Sequence, residues 1–174
     1  LYQRNKPLGQ ITKFIFVRHG ESIKNTESMI DGNDKPRFPL TEKGREWAKK
    51  VAQELQSENI DIIFASPFAR TQETAEIINE TLQRDVQYDN RLREVFLGDM
   101  NGLKRTDIQE RYTEEHNKYL TDWNYKPGGG ESANDILARM TDFVMEVSQK
   151  YPGKTILVVS HADQIAVTID GLSW

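Results

Sequence analysis

Short β-branched runs alternate with amphipathic stretches along this chain, and most of the runs close on a polar residue. Residues 11–17 are aromatic and β-branched, the composition of a buried strand, and they stop at Arg18-His19-Gly20. Residues 61–65 read as a second strand ending at Ser66-Pro67, residues 86–88 as a weaker third, and residues 155–159 as the clearest, ending at Ser160-His161. Between them, Thr41 is placed to cap a helix whose Trp47, Ala48, Val51, Ala52 and Leu55 share one face. Thr71, Ala75, Ile78 and Leu82 mark the next helix, and a further amphipathic helix is expected over residues 106–123. Pro127-Gly128-Gly129-Gly130 breaks the pattern before a strongly periodic helix carrying Ile136, Met140, Phe143 and Val147. Residues 25–40 and 91–104 read as irregular. Strand–helix alternation of this kind specifies an α/β fold, a mostly parallel sheet flanked by helices on both faces. No linker, repeat or low-complexity tract divides the 174 residues, so residues 1–174 are expected to form a single domain.

In open parallel sheets ligands sit beyond the carboxyl ends of the strands. Three strands here end in residues with a use at that place: Arg18-His19-Gly20-Glu21, Ser66-Pro67 with Arg70 close behind, and Ser160-His161. Two guanidinium groups and two imidazoles meeting at one point make a cationic pocket, which suits a tetrahedral dianion. Each piece has a plainer explanation alone. Arg18-His19 can be a surface turn, Arg70 a solvated helix residue and His161 a hydrogen-bonded core histidine. Their shared position is what favours a site.

Composition narrows the remaining classes. With 23 basic and 27 acidic residues the net charge is −4, opposite in sign to a general nucleic-acid or anionic-membrane binder. The absence of cysteine excludes disulfides, a thiolate nucleophile and Cys-bound zinc. Three histidines, His19, His116 and His161, leave few ligands for a histidine-rich metal site. Apolar runs are only a handful of residues long, too short to span a bilayer. The opening residues hold no signal-peptide core, and together with the missing cysteines this points to the cytoplasm.

Arg18-His19-Gly20-Glu21-Ser22 with Asn25 resembles the signature of the histidine phosphatase superfamily, whose fold is phosphoglycerate mutase-like. The likeness continues through residues 39–44 and 66–75, Glu94 with Gly98 and Gly102, Gly130-Glu131-Ser132, and Ser160-His161, in the family's order and over nearly the whole chain. The resemblance implies a metal-independent phosphomonoesterase, a hydrolase of the histidine acid phosphatase type, with no cofactor and a small phosphorylated substrate. It assigns His19 as a nucleophile that becomes phosphohistidine. Arg18, Arg70 and His161 would hold the phosphoryl oxygens, Asn25 would donate a further hydrogen bond, and Glu94 would protonate the leaving oxygen and then assist water. A mutase that returns the phosphoryl group to an isomeric hydroxyl is the alternative within the family; the shortness of the chain favours hydrolysis. A non-catalytic phosphate-binding module is the alternative from another class, and the presence of all five catalytic side chains speaks against it.

Two departures stand out. Many relatives carry glycines after the second histidine, whereas this chain has Ala162-Asp163. Asp163 is therefore second to Glu94 as candidate acid, and a capping or first-turn role in the last helix explains it more simply. Relatives also continue beyond that helix to an edge strand, whereas here Gly171 reads as a helix stop near the end of the sequence. This motivates the expectation of a domain incomplete at its C-terminus or excised from a longer polypeptide. His116 reads as a packing residue, and Lys35 and Arg37 as solvated loop residues with a lesser claim on a second anionic group of the substrate.

Overall fold

The computed structural model describes residues 11–34 and 37–172. Their sheet runs β1 (Lys13–Arg18), β4 (Thr155–Ser160), β2 (Ile62–Ala65), β3 (Asp85–Tyr88) in spatial order, every pair parallel. Hydrophobic pattern explains why β4 is central. Ile156, Leu157, Val158 and Val159 are all fully buried, as a strand covered on both faces requires. Successive side chains alternate between those faces. Ile156 and Val158 join Phe64, Ile136, Met140 and Phe143 in one core, whereas Leu157 and Val159 join Ala52, Leu55, Ile63, Ala75 and Ile78 in the other. Helices α2 (Glu42–Leu55) and α3 (Ala69–Leu82) cover the second face; α6 (Ala133–Lys150) and α7 (Ala162–Leu172) cover the first.

Local chemistry sets the helix starts. Thr41 Oγ1 accepts the amide of Gly44 at 3.1 Å and caps α2. Ser132 and Asp135 form a reciprocal capping box at α6, with bonds of 3.2 and 2.9 Å.

The structure corrects three expectations. The helix read over residues 106–123 is two, α4 (Arg105–Arg111) and α5 (Thr113–Thr121), meeting at a non-helical Tyr112. The Thr113 hydroxyl donates to the Gln109 carbonyl, which the Thr113 amide would take in a continuous helix, so a side chain displaces the backbone ladder. Within the stretch read as a loop from residue 25, the short helix α1 (Ile23–Thr26) already occupies the start. Residues 91–104 are irregular apart from short 3-10 turns, as expected, and they place Leu92, Val95, Leu97 and Met100 in the first core. Gly171 does not stop the last helix, which runs through to Leu172. A Cβ there would lie 2.4 Å from Leu137 Cδ1, the movable end of a side chain on α6.

The register carries the functional consequence. Arg18 pairs with Ser160, so β1 and β4 end level, and Ala65 pairs with Val159, so β2 ends one residue short of them. His19, His161 and Ser66 are the next residues out.

Candidate active site

His19 continues the ladder past β1, its amide donating to the Ser160 carbonyl at 3.0 Å. Its Nδ1 lies 2.7 Å from the Gly20 carbonyl, which can only accept. Nδ1 therefore carries the proton, and a neutral ring has its lone pair on Nε2. The ring is neutral because its pKa is lowered to about 3, first by burial and then by the Arg70 guanidinium, with Arg18 and Lys24 adding to it.

His161 is fully buried and stands edge-on to His19, ring centroids 5.3 Å apart; Phe68 flanks its other side at the same separation. Its pKa also lies well below the usual imidazole value, through burial and then Arg70. Its Nε2 is 2.9 Å from Ser66 Oγ, and that oxygen already accepts the Phe68 amide. The Ser66 hydroxyl hydrogen has no other acceptor among the described residues, so it is directed to Nε2, leaving Nδ1 of His161 as the N–H donor.

Arg70 enters from the first turn of α3, is fully buried, and packs its guanidinium 5.2 Å from the Phe68 ring centroid. Asp31 fixes it through a 2.9 Å bond from Nη1 to the carboxylate and a 3.1 Å bond from Nη2 to the backbone carbonyl. Gly32 makes that possible: a Cβ there would fall 2.0 Å from the Val95 carbonyl oxygen, so only glycine lets the Asp31 loop lie against the Glu94 segment. Asp34 reaches the start of α3, where its carboxylate accepts the Ala69 amide at 3.1 Å.

Glu94 lies over both imidazoles. Its Oε1 accepts the Val95 amide at 3.2 Å; its Oε2 is 3.3 Å from Lys24 Nζ, 3.7 Å from His161 Nδ1 and 3.9 Å from Arg70 Nη2. Arg70 Nε and His161 Nδ1 are buried donors with no hydrogen-bond partner. An oxyanion bound between them would supply the acceptor that buried donors require.

Arg18 and Asn25 stand further out and line two hollows. One, of about 110 Å³, also has Lys24, Glu94, Arg105 and Asp163 in its wall; the other, of about 400 Å³, includes His19, Lys43 and Trp47. Arg18 is exposed at the end of β1. The Asn25 carbonyl oxygen accepts both the amide and the hydroxyl of Ser22, each at 2.9 Å, so only its NH2 is left to face a ligand.

Asp163 lies in the first turn of α7, where the simpler reading put it, and it also shares the smaller hollow with Glu94. Asp163 is solvent-exposed, yet the protein packed around its carboxyl and the Glu94 charge push its pKa up to about 6. His116 lines a hollow of about 290 Å³ beside Arg105, and a second of about 430 Å³ that also reaches Asp163. Arg37 is engaged at the surface by Gln72 at 2.7 Å and Asp34 at 3.5 Å, as a solvated residue would be; Lys35 lies outside the described residues.

Sequence reasoning missed Lys24, Asp31 and Asp34. Lys24 immediately precedes Asn25 of the motif, but a lysine in a polar stretch reads as solvent-facing, and Asp31-Gly32 and Asn33-Asp34 read as turns. His19, Glu94 and His161 each bring a ligand-type atom within 4.8 Å of the others, the donor set of a small metal site. Lys24 and Arg70 already crowd the carboxylate of that set, so its field favours an anion over a further cation.

A family model of the histidine phosphatase superfamily, branch 1, matches residues 14–173. The chain belongs to that superfamily. Among its relatives, phosphoserine phosphatase 1 of Hydrogenobacter thermophilus is 34% identical over 152 residues, covering 87% of this chain and 71% of that protein. A 2,3-bisphosphoglycerate-dependent phosphoglycerate mutase of Brucella anthropi is 31% identical over 170 residues, covering 91% and 82%. Among solved structures, a mycobacterial glucosyl-3-phosphoglycerate phosphatase in complex with VO3 superposes with a TM-score of 0.83 at 30% identity, over 90% of this chain and 79% of that one. This histidine phosphatase fold has the parallel sheet and two-sided helical cover described above. Among the described residues no helix is long and apolar enough to cross a membrane.

Proposed function

We propose that the chain is a phosphomonoesterase acting on small phosphorylated substrates in the cytoplasm through a phosphohistidine on His19. The observation that carries this reading is the His19 ring itself: Nδ1 is committed to the Gly20 carbonyl, the ring is held neutral, and Nε2 has a lone pair beside Arg70. In the first step Nε2 attacks phosphorus, the bond from phosphorus to the alcohol oxygen breaks, and Glu94 gives that oxygen a proton. Arg18, Arg70, the His161 Nδ1–H and the Asn25 NH2 take the phosphoryl oxygens as charge builds on them. In the second step water attacks phosphorus, yields its proton to Glu94, and the bond to Nε2 breaks, releasing phosphate. Every proton and charge is carried by side chains of the chain itself. Because His19 stays neutral down to about pH 3, the nucleophile is available on the acid side of neutrality, the sense in which an acid phosphatase is meant here.

The similarity to a mutase from Brucella anthropi supports a second reading, in which an isomeric hydroxyl replaces water as acceptor. One experiment separates the readings. With chelator present, p-nitrophenyl phosphate should release inorganic phosphate, and an alkaline quench should trap acid-labile phosphate on the protein. Offered 3-phosphoglycerate, the enzyme should give inorganic phosphate or leave it unchanged. Fast formation of 2-phosphoglycerate would establish the mutase, and no turnover with any phosphate ester would leave a binding module.

Glu94 has its own signature. A placed acid contributes roughly 10²–10⁴ in rate, so Glu94→Gln should slow alkyl phosphates by about that range. Phosphoenzyme formation from p-nitrophenyl phosphate, whose leaving group needs little protonation, should suffer much less. If Asp163→Asn shows that leaving-group dependence and Glu94→Gln does not, the acid is Asp163.

A further inference from the structure

Lys24 is the charge at this site to which the phosphoryl chemistry gives no task. It sits in α1, a helix of four residues at the surface, and yet its side chain turns inward and is only 7% exposed. Lysine is seldom buried without a partner. Here burial depresses its pKa, and Glu94 is the principal group acting in the other direction. The geometry agrees, since Nζ stands 3.3 Å from Glu94 Oε2.

Glu94 depends on that contact. Its Oε1 is anchored by the Val95 amide, but Oε2 has few other close partners. Arg70 is 3.9 Å away with both terminal nitrogens engaged by Asp31, and His161 Nδ1, on a neutral ring, is 3.7 Å away. The carboxyl can rotate about its side-chain torsions unless Oε2 is held too. A charge-assisted hydrogen bond from Lys24 holds it.

Resting on the reading of Glu94 as the proton-transfer group, we propose that Lys24 is a positioning residue, which holds the Glu94 carboxyl over the His19–His161 pair for proton transfer to the leaving oxygen and from water.

Lys24→Met keeps the length of the side chain and removes its hydrogen bond. It should lower kcat for an alkyl phosphate by at least about tenfold, within the range acid catalysis supplies, with KM much less changed. The burst of phosphohistidine from p-nitrophenyl phosphate should persist. Combined with Glu94→Gln, it should add little, because residues acting as a unit are not additive. Lys24→Arg should restore most of the loss. Should Lys24→Met prove unfolded in a thermal melt, Lys24→Gln, a neutral donor, serves in its place and should show the same leaving-group dependence in milder form.

Three results would overturn the inference: wild-type leaving-group dependence in Lys24→Met, full multiplication of its effect with that of Glu94→Gln, or weakened inhibition by inorganic phosphate at unchanged kcat. The last would mean that Lys24 grips the phosphoryl group directly. A wild-type enzyme that traps no phosphohistidine removes the parent reading and this one with it. One that traps it, while Lys24→Met behaves as wild type, removes this one alone.

Discussion

His19→Ala should abolish turnover and leave the fold standing. The expected loss in kcat is on the order of 10⁶, the scale seen when the nucleophile of a covalent hydrolase is removed. No trapped phosphate should remain on the protein after an alkaline quench. The fold should survive because the His19 side chain contributes one bond, to the carbonyl of its own neighbour, and lies outside the two apolar cores. Its backbone amide, which extends the sheet to Ser160, is untouched by the substitution. Circular dichroism with a thermal melt and a phosphate-release assay check both halves. An alanine variant with wild-type activity would remove His19 from the mechanism.

Arg70→Leu should damage activity and stability together, for separable reasons. On the proposed mechanism, loss of the guanidinium should take away a preorganised donor group for the phosphoryl oxygens, worth roughly 10²–10³ in kcat. It also strands Asp31, whose side chain is almost fully buried and whose carboxylate bonds Arg70 at 2.9 Å. Removing one partner of a buried pair typically costs about 3–5 kcal/mol, which denaturant titration would register as a lower midpoint. Adding Asp31→Asn removes the stranded charge and should recover a good part of the stability, but none of the rate. If the double variant regains activity as well, Arg70 serves the fold and not the phosphoryl group.

How much of this was legible beforehand depended on how locally each feature is encoded. The strands were visible because β4 is buried on both faces and reads as an unbroken apolar run. The register of three parallel strands then delivers His19, His161 and Ser66 to one place, so their position at strand ends was enough to bring them together. The break at Tyr112 was invisible because periodicity reports which face is apolar and says nothing of a threonine hydroxyl competing for a carbonyl. The same holds for Gly171, which lies against Leu137 of a neighbouring helix, and no pattern within its own segment records that. Lys24 and Asp31 lay beyond reach for a further reason. Each is placed by a non-local approach: the loop at Gly32 folds against Val95, and α1 turns its lysine toward a glutamate 70 residues away. Asn25 lines the same hollows as Arg18, and the use of its side-chain carbonyl oxygen by Ser22 emerges only from the geometry.

The neutral imidazoles that suit this site to nucleophilic attack also make the protein acid-labile. Once the chain unfolds, His19 regains an ordinary value near 6.5, whereas in the folded state it resists protonation to about 3. Below the upper value the unfolded chain binds a proton that the folded one refuses. His19 therefore contributes its full stability above about pH 6.5, and loses it as pH falls, by up to about 1.4 kcal/mol per pH unit for that proton. His161 is displaced in the same direction and adds to the same slope. Acid thus threatens the scaffold across a range in which the nucleophile itself remains unprotonated. Loss of activity at low pH is then expected to follow loss of the folded population, and a tightly bound anion in the pocket should postpone it.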